Sequence, residues 1–226
     1  MKKVAYIVLG CLFINACSTS SSNESADSEA TGTEETEATS LEADIPDVLN
    51  PNLASVNDLY SIGLLDPEIQ AITAGRPYLD PLAFLSTLQE VAGEGKFEDL
   101  KSKIFLPMNL NTTAEADFKM VPKVGDKMAH EFEEYRPYTS VEQFRREIGK
   151  YVSQEEVAAY ENFVFVPVNL NTASKEEILA IPGVGDKMLH EFEEYRPYEN
   201  LAQFRREIGK YVDEEELARL ERYVTL

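Results

Sequence analysis

Residues 169–185 read NLNTASKEEILAIPGVG, and residues 109–125 read NLNTTAEADFKMVPKVG. In the first stretch Ser174 and Glu177 have the spacing of a capping box, which predicts that a helix begins after Ser174. The Pro-Gly-Val-Gly sequence at 182–185 ends this helix and predicts a tight hairpin before the next one. The stretch therefore predicts two short helices joined by a glycine turn.

The sequence around this hairpin repeats with a period of 60 residues. The strings HEFEEYRPY and QFRREIGKYV, which begin at His130 and Gln143, return unchanged from His190 and Gln203. A third, degenerate copy has NPNLAS and GRPY, which begin at Asn50 and Gly75, with one deletion between them. We therefore divide the fold into three tandem copies. The first, middle and last copies are 46–105, 106–165 and 166–226.

Helical spacing organises the rest of the last copy. It predicts a second helix from Asp186 to about Tyr195, a third over 201–208 and a fourth beginning near Asp213. We expect its apolar residues to face inward: Ile178, Leu179, Ile181, Met188, Leu189, Phe192, Tyr195, Leu201, Phe204, Ile208, Leu217, Leu220 and Tyr223. The predicted fold class is all-α, a tandem array of three modules, each near the lower size for independent folding.

The N-terminus has the pattern of a bacterial lipoprotein signal peptide, predicted to cover 1–16. Lys2 and Lys3 precede an apolar stretch at 4–13 that is too short to span a bilayer as a helix. Ile-Asn-Ala then leads to Cys17, the predicted lipidation site. Two alternatives stay open: lipidation at Cys11, which follows Val-Leu-Gly, and ordinary cleavage near Ala16.

Residues 17–45 are predicted to form a disordered acidic tether, because 18–45 contains eight acids, no base and no aromatic residue. The whole chain has 21 basic and 41 acidic residues. Without Lys2 and Lys3 the counts become 19 and 41, a net charge of −22. Such a charge repels nucleic acid and anionic lipid at long range. Both cysteines lie within 1–17, so the folded copies have no disulfide and no cysteine metal site.

The strings VNLNTAS at 168–174 and IPGVG at 181–185 resemble the helix-hairpin-helix domain of the ComEA competence proteins. This resemblance implies a hairpin that binds the DNA backbone without reading sequence, outside the cytoplasmic membrane, during DNA uptake. The same motif is similar to that of an extrinsic photosystem II protein, in which a helix-hairpin-helix scaffold joins a membrane-protein complex and contacts no DNA. The motif thus leaves the ligand open.

The hairpins are the first candidate binding site, because backbone N–H groups at a helix start attract phosphate. The candidate residues are Gly183, Val184, Gly185 and Lys187 in the last copy, and Val124, Gly125 and Lys127 in the middle copy. Three departures weaken the pattern. Asp186, as an N-cap, would occupy the donors, and Lys123 in place of glycine would reshape the middle hairpin. In the first copy Pro67 removes a donor.

A basic cluster is the second candidate site, and it occurs twice. Its residues are Arg145, Arg146 and Lys150 in the middle copy, and Arg205, Arg206 and Lys210 in the last copy. They form either a patch for phosphate or a partner, or the counter-charges of Glu193 and Glu194 on the neighbouring helix. The copies differ mainly over 115–121 and 175–181, and the sequence alone does not separate function from packing there.

No catalytic constellation is present in the sequence. The only histidines are His130 and His190, and a zinc site at His190 and Glu194 would lack a third protein ligand. We therefore predict no enzyme, no cofactor and no metal.

The predicted function is a lipid-anchored, extracytoplasmic interaction scaffold that binds a protein or an envelope complex. The alternative is an extracytoplasmic, sequence-independent DNA-binding protein of the ComEA type. Ser18 follows Cys17 where an aspartate often retains lipoproteins at the inner membrane, which favours the outer membrane if the source has one.

Overall fold

The structure of the protein is a computed structural model that describes residues 48–226. The described residues are mostly helical, as the sequence predicts. The first copy has α1 Val56–Ser61, α2 Asp66–Ala74, α3 Pro81–Ala92 and α4 Glu94–Leu100. The middle copy has a 3-10 helix Glu115–Met120, then α5 Asp126–Glu134, α6 Val141–Ile148 and α7 Gln154–Glu161. The last copy has α8 Lys175–Leu179, α9 Asp186–Glu194, α10 Leu201–Ile208 and α11 Glu214–Glu221.

Short strands join the two ends of a copy, which the all-helical prediction for the last copy missed. In the middle copy β1 Met108–Asn109 pairs in parallel with β2 Val164–Phe165. In the last copy β3 Val168–Asn169 pairs in parallel with β4 Val224–Thr225. A single bridge between Leu49 and Ile104 takes this place in the first copy. Two-residue strands are too short to show an alternating pattern in the sequence.

The repeated Asn and Arg-Pro-Tyr residues form a clasp in each copy. In the middle copy the Asn111 side chain accepts a hydrogen bond from the Tyr138 amide at 2.7 Å and donates one to the Tyr138 carbonyl at 2.8 Å. Arg136 donates to backbone carbonyls of the same asparagine loop. The equivalent asparagine and tyrosine are Asn52 and Tyr78, and Asn171 and Tyr198. They are 26 residues apart in the first copy and 27 in the others, so the deletion falls where the sequence predicts it.

Local signals set the helix boundaries of the last copy. The predicted capping box is present: Ser174 accepts from the Glu177 amide, and the Glu177 carboxylate accepts from the Ser174 amide. Asp213 accepts a hydrogen bond from the Glu216 amide at 2.8 Å and caps α11. Gly209 occupies the C-cap position of α10. The predicted capping box at Ser174, the third helix over 201–208 and the start of the fourth helix near Asp213 are confirmed.

The apolar residues pack into two cores. One core is continuous through the first and middle copies, where Phe105 and Phe163 meet edge to face at 5.1 Å. The last copy has a core of its own, which includes Phe192 and Phe204. The inward prediction is wrong for Leu179 and Leu201, which are exposed. Both lie at an end of a short helix, α8 and α10, where the buried face no longer covers the residue.

The last copy also contacts the first. The Asn50 side-chain amide donates to the Tyr223 hydroxyl at 3.4 Å. Arg222 donates to the Pro107 carbonyl, near the start of the middle copy, at 2.9 Å.

Within residues 48–226, no helix has both the length and the apolar character needed to cross a bilayer.

Candidate functional site

The hairpins of the middle and last copies have the same backbone conformation. Gly183 has a φ of +80° in the last copy, and Lys123 has a φ of +66° at the corresponding position. The amide of Val184 donates to the Ile181 carbonyl at 3.0 Å, and the equivalent bond of the middle copy measures 3.1 Å. Lys123 therefore does not reshape the turn, contrary to expectation. A non-glycine residue in this region costs about 1–2 kcal/mol.

The helix that follows each hairpin is not capped by a side chain. Gly185 is the N-cap of α9, and Asp186 is the first helical residue without a capping hydrogen bond. Gly125 and Asp126 have the same places at α5. The expectation that Asp186 occupies the helix donors is therefore wrong. A glycine at the N-cap has no side chain to take them.

The candidate hairpin residues divide into exposed and buried groups. The exposed ones are Gly183, Gly185 and Lys187 in the last copy, and Gly125 and Lys127 in the middle copy. The side chains of Val124 and Val184 are buried and their amides bond within the turn, so both residues stabilise the hairpin. In the first copy Gly63 keeps a φ of +93°, but Leu65 is the N-cap and Pro67 lies in the first turn of α2.

One side of the last hairpin is part of a junction inside the chain, which we call the Arg219 junction. The Arg219 side chain is 3% exposed and donates to the Pro182 carbonyl at 2.5 Å. The same guanidinium binds both carboxylate oxygens of Glu216 at 2.6 Å. A methyl group at Gly183 would lie 2.7 Å from an Arg219 nitrogen and 3.2 Å from Leu53 of the first copy. Gly183 is therefore needed for close packing as well as for its φ angle.

The basic clusters are paired with carboxylates, but not with the predicted ones. Arg205 binds Glu221 of α11 through two hydrogen bonds of 2.6 and 2.5 Å, which raise the pKa of the arginine. Glu193 instead lies 3.5 Å from Lys175, and Glu194 lies 3.7 Å from His190. Arg145 and Glu161 form the equivalent pair in the middle copy at 2.7 Å.

The other two cations of each cluster share one carboxylate. Lys210 and Arg206 both bind Glu207, and together they hold the pKa of that carboxyl below its usual range. The Lys210 ammonium also lies 5.0 Å from the centre of the Tyr195 ring. Arg146, Glu147 and Lys150 form the same arrangement in the middle copy. A phosphate at either cluster would compete with these carboxylates for the same cations.

The histidines lie on the surface. His130 is 62% exposed and lies 3.4 Å from Glu115, whose carboxylate raises the pKa of the imidazole. His190 is 74% exposed. Across the part of the chain that the structure describes, no three His, Cys, Asp or Glu residues lie close enough together to hold a metal ion.

The junction between copies depends on arginines that the sequence analysis did not select. Arg222 lies over the rings of Phe165 and Tyr223 at 5.4 and 5.3 Å, and burial lowers its pKa. The signal that could have found both arginines is a difference between copies. The middle copy has Ala159 and Asn162 where the last copy has Arg219 and Arg222.

The predicted signal peptide, Cys17 and the acidic tether lie outside the described residues. Comparisons with protein-family models, with curated proteins and with solved structures found no match for the chain. The helix-hairpin-helix resemblance therefore stays a prediction from the sequence.

Proposed function

We propose that this chain is a lipid-anchored protein of the cell envelope whose three copies are helix-hairpin-helix modules that serve as a non-catalytic interaction scaffold. Two short helices around a glycine turn, followed by a second pair, support this assignment in the middle and last copies. The clasp and the positive-φ residue at the hairpin occur in all three copies. A protein or an envelope complex is the proposed partner.

The observation that carries the scaffold assignment is that the residues of the two basic clusters already have carboxylate partners within the chain. The hairpin that best matches a DNA-binding pattern is packed against Arg219 and Leu53 on one side. The two basic clusters are bound to Glu147, Glu161, Glu207 and Glu221. Strongly salt-dependent DNA binders make about 6–10 phosphate contacts. Forming that many here would compete with internal ion pairs and would act against a net charge of −20.

A sequence-independent DNA-binding protein is the second candidate, and the middle hairpin favours it. Its backbone conformation matches that of the last hairpin, and the start of α5 has no side-chain cap. Lys123 and Lys127 are both exposed beside it. Two lysines and helix-start donors are the features that a phosphate needs.

A DNA titration separates the two candidates. The purified full chain is titrated with duplex DNA at low and physiological salt, and we expect a Kd weaker than about 100 µM at physiological salt. The variant Lys127→Glu with Lys187→Glu tests the hairpins, and Lys103→Glu is the control away from them. Micromolar binding that the hairpin variant abolishes and the control keeps would establish DNA binding instead.

The anchor is tested separately. Mass spectrometry of the mature N-terminus should show a diacylated or triacylated Cys17. Cys17→Ser should release the protein from the membrane fraction, whereas Cys11→Ser should leave it there. An unmodified N-terminus, or a lipid on Cys11, would refute the proposed anchor.

A further inference from the structure

The middle and last copies differ in two blocks of sequence. Between 109–152 and 169–212, the copies differ at every position from Thr113 to Val121 and at the four positions 139–142. Outside these blocks only Lys123 and Ala129 are replaced, by Gly183 and Leu189.

The structure brings the two blocks together across a cleft between the middle and last copies. The cleft has a volume of about 470 Å³. All four residues of the block 139–142, Thr139, Ser140, Val141 and Glu142, line its wall on the middle copy. The opposite wall includes residues of the other block as it occurs in the last copy: Ala173, Glu177, Ala180 and Ile181. The copies have thus diverged where they face one another across open space.

One contact that joins the middle and last copies lies beside these blocks: the rings of Phe165 and Tyr223, 4.6 Å apart, both line the cleft. The first and middle copies meet in one continuous core, where Phe105 lies against Phe163. The middle and last copies have separate cores, and residues of both blocks line the open cleft between them. A cavity of roughly 300–1,000 Å³ at a boundary between packed units is the usual place for a ligand.

The cleft has an apolar floor and an acidic rim. Val164, Val168 and Ile181 line it together with Val141 of α6. Its charged residues are three carboxylates, Glu142, Glu161 and Glu177, and one cation, Arg145, which gives a net charge of −2.

The one cation of the cleft already has a carboxylate partner. Arg145 binds Glu161 through two bonds of 2.7 Å and lies 3.7 Å from Glu142. The Glu142 side chain is 68% exposed, so its carboxylate remains accessible to a ligand. An apolar group flanked by positive charge is the chemistry that complements this lining.

We propose that this cleft binds a short peptide segment of a partner protein in which an apolar side chain is flanked by lysine or arginine. This inference rests on the proposed scaffold function and names the chemistry of its partner. The apolar side chain packs on the valine floor, and a basic residue pairs with Glu142 at the rim. Acidic and nucleic-acid ligands are disfavoured because the charged residues of the lining sum to −2.

The probe is acetyl-Lys-Leu-Val-Lys-amide, titrated into the isotope-labelled full chain and followed by NMR chemical shifts. We expect saturable shifts centred on Val141 and Ile181. The matched acidic peptide acetyl-Glu-Leu-Val-Glu-amide should cause none. The neutral peptide acetyl-Gln-Leu-Val-Gln-amide should bind about tenfold more weakly, as expected for the loss of charge-assisted contacts.

The last copy supplies matched controls, because its equivalent positions 199–202 do not line the cleft. Val141→Trp should fill the cleft and abolish binding, whereas Leu201→Trp should not. Glu142→Ala introduces the residue that the last copy has there and should weaken binding about tenfold, whereas Ala202→Glu should not change it. Circular dichroism checks that each variant is folded. If Val141→Trp does not fold, Glu142→Ala still tests the site.

Four outcomes would overturn this site: no shifts with the basic peptide at about 1 mM, equal binding of the acidic peptide, shifts outside the cleft, or unchanged binding by Glu142→Ala. None of them bears on the lipid anchor or on the DNA titration. Conversely, tight DNA binding with intact peptide binding would refute the scaffold and leave the cleft in place.

Discussion

The middle and last copies use one hairpin conformation for two different purposes. In the last copy Gly183 packs under Arg219, and the junction includes Leu53 of the first copy. In the middle copy Lys123 and Ala159 stand at the corresponding positions, and the lysine side chain is exposed. The two replacements are linked, because a side chain at the glycine position and a buried arginine compete for the same space. A matching motif therefore identifies the turn but does not identify what the turn contacts.

The largest expected effect is on Gly183. Gly183→Ala should lower the free energy of unfolding by about 2–3 kcal/mol, because the residue must keep a positive φ and the new methyl group meets Arg219. Chemical denaturation of the full chain measures it. Lys123→Ala is the matched control and should change stability by less than about 0.5 kcal/mol. A loss in Gly183→Ala no larger than the roughly 1–2 kcal/mol expected from the positive φ alone would show that the Arg219 junction is not formed.

Removal of Arg219 should have the next largest effect. Arg219→Ala leaves the Pro182 carbonyl without its charged donor and should lower the free energy of unfolding by about 2 kcal/mol. Arg205→Ala, which breaks an exposed pair with Glu221, should cost less than about 1 kcal/mol. The double variant Gly183→Ala/Arg219→Ala should lose about 1 kcal/mol less free energy of unfolding than the sum of the two single losses. Strict additivity would contradict the shared contact.

A gain in stability is expected from the opposite change in the middle copy. Lys123→Gly relieves a φ of +66° and should raise the free energy of unfolding by about 0.5–1 kcal/mol, since the greater freedom of glycine in the unfolded chain offsets part of the relief. The same denaturation experiment measures it. A loss of stability would mean that the Lys123 side chain makes stabilising contacts of its own.

The smallest effect concerns pH. Glu115 raises the pKa of His130, and the last copy has Lys175 at the position of Glu115. The attraction between protonated His130 and Glu115 stabilises the fold fully below the pKa of His130 in the unfolded chain. This stabilisation is lost as the pH rises through the pKa of His130 in the folded protein. Glu115→Lys should therefore lower the pKa of His130 in an NMR titration. Glu176→Lys is the control on the last copy, and an unchanged His130 pKa in Glu115→Lys would refute the pairing.

The sequence predicted the helices of the last copy because the signals that set their ends are local, whereas the two-residue strands have no such signal. The capping box at Ser174, the bounds of α10 and the cap at Asp213 follow from side chains that bond within three residues. The clasp residues Asn111, Arg136 and Tyr138 lie in strings that repeat, but the sequence did not predict that they bond to one another. Leu179 and Leu201 were misplaced because helical spacing continues to the last residue of a helix, whereas burial does not.

The sequence by itself therefore determined the helical class, the 60-residue repeat and the caps that bound the helices of the last copy. Only the tertiary structure decided which copies share a core, that Gly183 belongs to a junction with Arg219, and that the two differing blocks enclose a cleft. The physical reason is how far apart in the sequence the interacting residues lie. Caps and turns depend on neighbours along the chain, whereas Gly183, Leu53 and Arg219 are distant in sequence and meet only when the copies pack together.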